Sequence, residues 1–198
     1  MDLNVKKNEQ GRNVSTITGS TIPSIDTREV ITQVLVNNGD TVVLGGVLAA
    51  FQRDFIAERV GQGVGGRHFE LAGYGIADFV WMDFGHQLLR PRGKAAAPVL
   101  TAFEMKLKDW RRAISQAYRY SYFADRAIVV LPHATADKAE EHLNVFQRLG
   151  IGLWSYEPKS MNIDMRFTPV ATNAKNPIAR EKALNRFSRK LKFRKACE

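Results

Sequence analysis

The sequence is poor in cysteine, and this scarcity excludes several classes of protein. Its single cysteine, Cys197, lies next to the C-terminal residue. One cysteine forms no internal disulfide and cannot build the cysteine clusters of structural zinc sites. A disulfide-stapled secreted domain is therefore excluded, and a reducing, cytosolic setting fits the composition best.

Long apolar runs are missing as well. No segment of the sequence approaches the roughly 20 consecutive apolar residues that a membrane-spanning helix needs. The first residues, MDLNVKKNEQ, have no apolar run behind their two lysines, so no export signal is visible. We therefore expect a cytoplasmic protein.

Acidic residues are scarce relative to basic ones. The chain has 20 Asp and Glu against 29 Lys and Arg, which gives a net charge of +9. From Lys175 to the end there are nine basic residues and two acidic ones. Such an excess favours a polyanionic partner such as DNA, although charge that only keeps the protein soluble would look the same.

What the sequence does contain is enough for one well-buried domain, with 198 residues of which 44% are hydrophobic. Up to about Ala50, Thr, Val, Ile, Asn and Gly dominate, which predicts β-structure. Within this part, TQVLVNNGDTVVLGGVL has two β-branched runs around residues 37–40, whose types suit tight turns. This pattern predicts a β-hairpin.

Helices and strands are predicted to alternate after this part. A first helix is predicted from Phe51, Phe55, Ile56 and Val60 at helical spacing, and GQGVGG is predicted to be a flexible connector. Strands are predicted at HFELAGYG, IADFVWMDF, LTAFEMK, RAIVVLP and IGLWSYEP. Two further helices are predicted, one capped by Asp109 and one covering residues 136–149 and ended by Gly150. This order favours a three-layer α/β arrangement.

The C-terminal part predicts an amphipathic helix among basic residues. Asn176 is suited to cap it and Pro177 to occupy its first position. Its apolar face is predicted to contain Leu184, Phe187 and Leu191.

The stretch LTAFEMKLKDW carries two opposite charges inside an apolar strand. Residues two apart on a strand point to the same side, so Glu104 and Lys106 project together while Phe103 and Met105 face the other way. Burying both charges is costly unless they pair or bind something. A pair of this kind is most often a solvated ion pair, so the motif alone decides nothing.

A second carboxylate near this pair would suit a metal ion. Asp78 begins a preceding strand and would supply it if the two strands lie side by side. Mg²⁺ commonly takes two carboxylates from protein and completes its shell with water and phosphate oxygens. Lys106 would then orient a water and stabilise the charge that develops on phosphorus. The set predicts metal-assisted phosphodiester hydrolysis.

The segments GIADFV and AFEMKLKDWRRAISQAYRYSYFADRAIVVLP resemble the PD-(D/E)xK nuclease superfamily, the restriction-endonuclease-like fold, over about residues 51–157. The resemblance implies a mixed central sheet flanked by helices and DNA cleavage dependent on Mg²⁺ or Mn²⁺, that is, an (endo)deoxyribonuclease. By motif position, Asp78 and Glu104 would bind the metal, Lys106 and Gln116 would share in catalysis, and Tyr120 would support them. Ala77 stands where the family's name-giving proline would be.

Further site residues remain open at this level. The family's extra acidic residue is matched by either Glu58 or Glu70. The residues predicted to contact DNA phosphates are Arg90, Arg92, Lys94, Arg111, Arg112, Arg119, Arg186, Arg189 and Lys190. The four histidines, at positions 68, 86, 133 and 142, lack metal-ligand spacing, so no role is assigned to them. A homodimer is left open.

The N-terminal part raises a second resemblance. MDLNVKKNEQGR and IPSIDTREVITQVLVNNGDTVVLGGVL resemble the C-terminal region of type IV pilus and type II or III secretion secretins over about 48 residues. In a secretin this region belongs to an oligomeric membrane β-barrel, whose edge would be unstable if left unpaired. We therefore expect a fusion or gene-remnant junction near residues 49–51. The alternative function is a secretin-derived envelope assembly protein.

These observations predict three segments. Residues 1–49 are a secretin-like β segment, residues 50–158 a nuclease-like domain, and residues 159–198 a basic C-terminal extension.

Overall fold

The computed structural model describes residues 4–7, 13–16, 39–85 and 97–195, with side chains over 44–85 and 97–189. The chain divides into two compact units, Met1–Asn38 and Gly39–Glu198. In the first unit, β1 (Asn4–Lys7) and β2 (Asn13–Thr16) pair antiparallel. This pairing confirms β-structure within the N-terminal part.

The second unit is built on a six-stranded mixed sheet with the strand order β3-β4-β5-β6-β7-β8. The strands are β3 (Gly63–Leu71), β4 (Gly75–Asp83), β5 (Val99–Met105), β6 (Arg126–Leu131), β7 (Ile151–Glu157) and β8 (Asn162–Phe167). β3, β4 and β5 are mutually antiparallel, β5, β6 and β7 are parallel, and β8 returns antiparallel to β7.

Within the described ranges the second unit has five helices. They are α1 (Gly39–Ala57), α2 (Trp110–Tyr120), α3 (His133–Glu140), α4 (Leu143–Leu149) and α5 (Pro177–Lys195). No helix in the described part of the chain combines the length and the apolarity needed to cross a membrane.

The helices cover the two faces of the sheet. On one face, Phe51 and Phe55 of α1 pack on Phe103 of β5. On the other face, the core is formed with α2 to α5, which contribute Ala117, Ala139, Phe146 and Phe187 among others. Because successive residues of β5 and β6 enter opposite clusters, both central strands are buried on both sides. The mixed α/β class is thus confirmed.

The C-terminal helix is held into this core. Asn176 Oδ1 accepts the amides of Ile178 and Ala179, which confirms its predicted capping role. Arg180 Nε donates to Asp125 Oδ1 over 2.6 Å. Residues 162–187 thus join the sheet and core of the second unit, while the predicted boundaries at 49 and 158 remain predictions.

The predicted hairpin around residues 37–40 is wrong in its second half, because α1 begins at Gly39. Leu48, Phe51 and Phe55 are buried at helical spacing, together with the partly buried Leu44. Burial of this stripe against the sheet outweighs the β-propensity of the adjoining valines. The first half of the predicted hairpin lies outside the described residues.

The glycine-rich segment GQGVGG is also not a connector over its whole length. Ile56, in the last turn of α1, and Val60, beyond its end at Ala57, are both exposed, and Gly63–Gly66 already belong to β3. A Cβ on Gly65 would lie 2.6 Å from the Phe79 ring, and one on Gly66 would lie 2.8 Å from the Phe187 ring. The glycines therefore let the strand approach aromatic side chains closely.

Two further predictions differ from the structure in detail. The helix predicted over residues 136–149 is two helices, α3 and α4, although Gly150 ends the second one in a left-handed conformation as predicted. β8, with the sequence NIDMRF, was not predicted, although its polar and apolar residues alternate strictly. It is an edge strand, where polar side chains are tolerated.

Candidate active site

Two carboxylates lie side by side where β4 and β5 separate. The ladder between these strands runs from Asp83 and Val99 to Phe79 and Phe103, one position short of Asp78 and Glu104. Instead, the amide of Met105 donates to Asp78 Oδ2 over 2.7 Å. The strand pairing thus brings the two predicted carboxylates to one place.

Lys106 joins this pair as the alternation of β5 predicts. Its Nζ lies 2.6 Å from Glu104 Oε1. Glu104 is only 1% exposed, whereas the Lys106 side chain is 24% exposed. This contact is an ion pair whenever Glu104 is ionised. Lys106 therefore contacts the buried Glu104 carboxyl group while part of its own side chain remains exposed to solvent.

Tyr120 of α2 contacts the other oxygen of Glu104. Its Oη lies 2.6 Å from Glu104 Oε2 and 2.6 Å from the carbonyl oxygen of Ile76. A hydroxyl has one proton and cannot donate to both acceptors fully. If Glu104 is protonated, its O–H donates to Tyr120 and Tyr120 donates to Ile76, which satisfies all three groups.

The electrostatics of the site shift both carboxylates toward their protonated forms. Burial raises the pKa of Glu104 to about 7, and the nearby Asp78 charge adds to the rise, while Lys106 opposes it. Burial also raises the pKa of Asp78, against the Met105 amide and the Lys106 charge. The pKa of Tyr120 is raised by burial, so its hydroxyl stays neutral. One lysine does not balance two buried carboxylates.

This imbalance indicates that the donor set fits a divalent cation. Two carboxylates are a common protein contribution to Mg²⁺, which retains several waters. Groups of three or more His, Cys, Asp or Glu side chains able to hold a metal are not found in the described part of the chain. The metal ligands available from the predicted set are therefore Asp78 and Glu104.

Two glutamines of the second unit each have a buried amide oxygen without a hydrogen-bond partner. Gln116 lies four residues before Tyr120 on α2, and its buried Oε1 has no hydrogen-bond partner. Gln52 of α1 is 1% exposed, donates from Nε2 to the Asp78 carbonyl over 3.4 Å, and also leaves its Oε1 without a partner. Gln52 was missed from the sequence. The one sign of it in the sequence is a polar residue next to Phe51, on a helix whose apolar side is buried.

The two alternatives for an extra acidic residue have partners elsewhere. Glu58 follows the end of α1 and pairs with Arg59 Nη1 over 2.9 Å. Glu70 is 60% exposed on β3 and lies 3.8 Å from Arg186. The structure brings Asp78, Glu104, Lys106 and Tyr120 into contact, and the contacts found for Glu58 and Glu70 are outside that group.

The predicted DNA-contacting residues fall into two sets. Those on exposed surface are Arg111, Arg112 and Arg119 of α2 and Arg186 and Arg189 of α5. Arg90, Arg92 and Lys94 lie outside the described residues, as does the side chain of Lys190. Arg111 stacks 4.2 Å above the Trp110 ring, which itself stacks on His142. The exposed set leaves guanidinium groups available on two helices.

Comparison with known families gives one match. The secretin family, described as bacterial type II and III secretion system protein, matches residues 1–56. This match supports the resemblance of the N-terminal part to secretins. The matched segment ends at residue 56, inside α1. The residue before it, Phe55, is buried in the core of the second unit. No curated protein matches the chain.

Proposed function

We propose that the second unit is a metal-dependent deoxyribonuclease of the PD-(D/E)xK type that hydrolyses DNA phosphodiester bonds with Mg²⁺ or Mn²⁺. The observation that carries the proposal is the juxtaposition of Asp78 and Glu104 on neighbouring strands, with Lys106 2.6 Å from Glu104. Because Glu104 is almost fully buried, its contact with Lys106 is not a solvated surface ion pair.

Each residue has a role in this mechanism. A bound divalent ion supplies Lewis-acid polarisation of the phosphate and a more acidic water. Asp78 and Glu104 hold the ion through their carboxylates. Glu104 must lose its proton to do so, and Tyr120 then fixes its orientation through Oε2. Lys106, whose Nζ faces Glu104, would hold the attacking water and stabilise negative charge on the phosphate. Gln116 offers its unpartnered oxygen to a water or to DNA.

Cleavage assays with matched variants test the catalytic assignment. We expect Glu104→Ala and Lys106→Ala to lower Mg²⁺-dependent cleavage of linear, supercoiled or branched DNA by at least about a hundredfold. Glu141→Ala and Lys138→Ala, which remove exposed charges on another part of the surface, should leave it unchanged. Equal activity in all four variants and the wild type would remove the assignment.

The exposed arginines provide the proposed DNA contact. Each phosphate that they neutralise releases counterions, so affinity should fall steeply with salt. Replacing Arg186 and Arg189 by Gln should weaken binding and flatten the plot of log affinity against log salt by about one unit per lost contact. Salt-sensitive binding without any cleavage would favour a nuclease-fold DNA-binding module instead. A homodimer remains a proposal.

The second candidate function is assembly in the cell envelope as a secretin-derived protein. The match of residues 1–56 to the secretin family favours it. It predicts oligomers that associate with membranes and depend on residues 1–48. Sedimentation of the whole chain with and without vesicles tests this, and a monomer or dimer that stays apart from the vesicles would contradict it.

A further inference from the structure

The β-sheet is interrupted next to Asp78. The ladder between β3 and β4 pairs Arg67 with Phe79 and Phe69 with Ala77, and passes over His68 and Asp78, both of which the structure describes. His68 has a φ of 46°, in the left-handed region, although it lies inside a strand. A non-glycine residue held in such a conformation is strained and marks a place where the surrounding structure fixes the backbone.

Both strands turn over at this point. Ala77 and Phe79 are two apart and would share a face in a regular strand, yet they enter opposite hydrophobic clusters. On β3, Gly66 and Phe69 are three apart, yet both face the Phe187 ring. The reversal therefore occurs on both strands at the pair that the ladder skips.

The interruption changes what surrounds Asp78. Two hydrogen bonds of Asp78 each join a side chain to a main-chain group, outside the ladder. Its carboxylate accepts the Met105 amide of β5, and its carbonyl accepts the Gln52 side-chain amide. An extended, regularly paired residue would present its carboxylate to one face of the sheet. The interruption instead lets the carboxylate reach across to the end of β5, where Glu104 lies.

We infer that His68 is a positioning residue, whose left-handed conformation holds the Asp78 carboxylate across the gap between β4 and β5, beside Glu104. The functional role given to this arrangement rests on the proposed nuclease function, whereas the backbone geometry at His68 is independent of it. His68 is exposed, so the structure assigns its effect to the backbone conformation it adopts and not to packing of its imidazole. His and Asn tolerate this conformation better than most residues, and β-branched residues least.

Substitutions at position 68 separate conformation from side-chain chemistry. Glycine and asparagine accept a left-handed conformation, whereas valine and threonine favour regular extended pairing. We expect His68→Gly and His68→Asn to keep Mn²⁺ affinity within about twofold of the wild type. We expect His68→Val and His68→Thr to lose at least about tenfold of that affinity, as removal of a supporting group typically does.

A readout without metal is provided by the Met105 amide. Its proton is bonded to the Asp78 carboxylate, so its NMR chemical shift should follow the ionisation of Asp78 as pH changes. This titration should persist in His68→Gly and His68→Asn and disappear in His68→Val. If the valine variant does not fold by circular dichroism, the threonine variant is read in its place.

The outcomes are separable. Persistence of the Met105 titration and of Mn²⁺ affinity in the folded valine or threonine variant would overturn the inference. Loss of both in the glycine and asparagine variants would also overturn it, by assigning the effect to the imidazole. If the titrations behave as expected but the wild type cleaves no DNA, the nuclease proposal fails while the positioning role of His68 stands.

Discussion

The protonation of Glu104 couples the candidate site to the stability of the fold. Its pKa of about 7 in the folded protein lies above the ordinary value of 4.5. Folding therefore favours the neutral form. The stabilisation that it contributes is complete below about pH 4.5 and is lost as pH rises through about 7. At neutral and higher pH the fold contains a buried carboxylate that Lys106 only partly compensates.

This coupling predicts the behaviour of Glu104→Gln. The amide imitates the neutral acid and can donate to Tyr120, so the variant should be more stable than the wild type by about 1–3 kcal/mol at about pH 8. Near pH 5 the two should differ little. Urea unfolding at both pH values measures the difference, with Glu141→Gln as the exposed control. An equal pH dependence in wild type and Glu104→Gln would refute the protonated state.

A second prediction at this scale concerns metal affinity. Because a bound cation requires ionised Glu104, binding must displace its proton below about pH 7. We expect Mn²⁺ affinity to rise by close to tenfold per pH unit from about pH 5.5 to 6.5 and to level off above about pH 7.5. Calorimetry in two buffers of different ionisation enthalpy counts the released protons. An affinity that is flat over this range would contradict the assignment of Glu104 as ligand.

At the scale of elements, the sequence predicted best where local and tertiary preferences agree. β6 is apolar after Arg126 and is buried on both faces, and Asp109 accepts the Arg112 amide as the predicted cap of α2. The prediction from sequence failed at the start of α1. There β-branched residues form a helix because one side of the helix is buried against the sheet.

The candidate site followed the same rule. Asp78, Glu104 and Lys106 were predictable because period-two alternation and strand order place them together. Gln52 and His68 were not, since the first acts through packing of a helix and the second through an interruption in a ladder. Neither leaves a pattern along the chain. The role of His68 depends on main-chain hydrogen bonds that are absent from the sheet. Such a feature can be recognised only in the folded structure.

The glycines of β3 give a prediction for this element. A Cβ on Gly65 would lie 2.6 Å from the Phe79 ring, which Phe51, Phe55 and Phe103 hold in place. Gly65→Ala should therefore destabilise the fold by about 1–3 kcal/mol.

Gly46→Ala is the matched control, because Gly46 is exposed within α1 and nothing lies within 4 Å of an added Cβ. That change should stabilise by up to about 1 kcal/mol. Thermal unfolding compares them, and a neutral Gly65→Ala would mean that β3 shifts to accept the methyl group.

At the scale of the whole molecule, the secretin match and the compact units do not share a boundary. The match ends at residue 56, whereas the second unit begins at Gly39. The helix α1 therefore carries sequence of secretin type while Phe51 and Phe55 fill the core under the sheet. A junction between the two parts, if it lies near residues 49–51, falls inside an element that the second unit needs.

Two truncations follow from this overlap. Removal of residues 1–38 deletes the first unit and leaves α1 intact, so the remaining chain should keep its unfolding temperature and its DNA cleavage. Removal of residues 1–56 also deletes Leu48, Phe51 and Phe55, whose loss exposes one face of the sheet. Truncating a single buried Phe already costs about 3–5 kcal/mol, so this second chain should not fold cooperatively. Circular dichroism melts of both, with cleavage assays on the first, test the expectation. A 39–198 chain that fails to fold, or a full chain whose oligomers on membranes vanish with residues 1–48, would instead favour the envelope function.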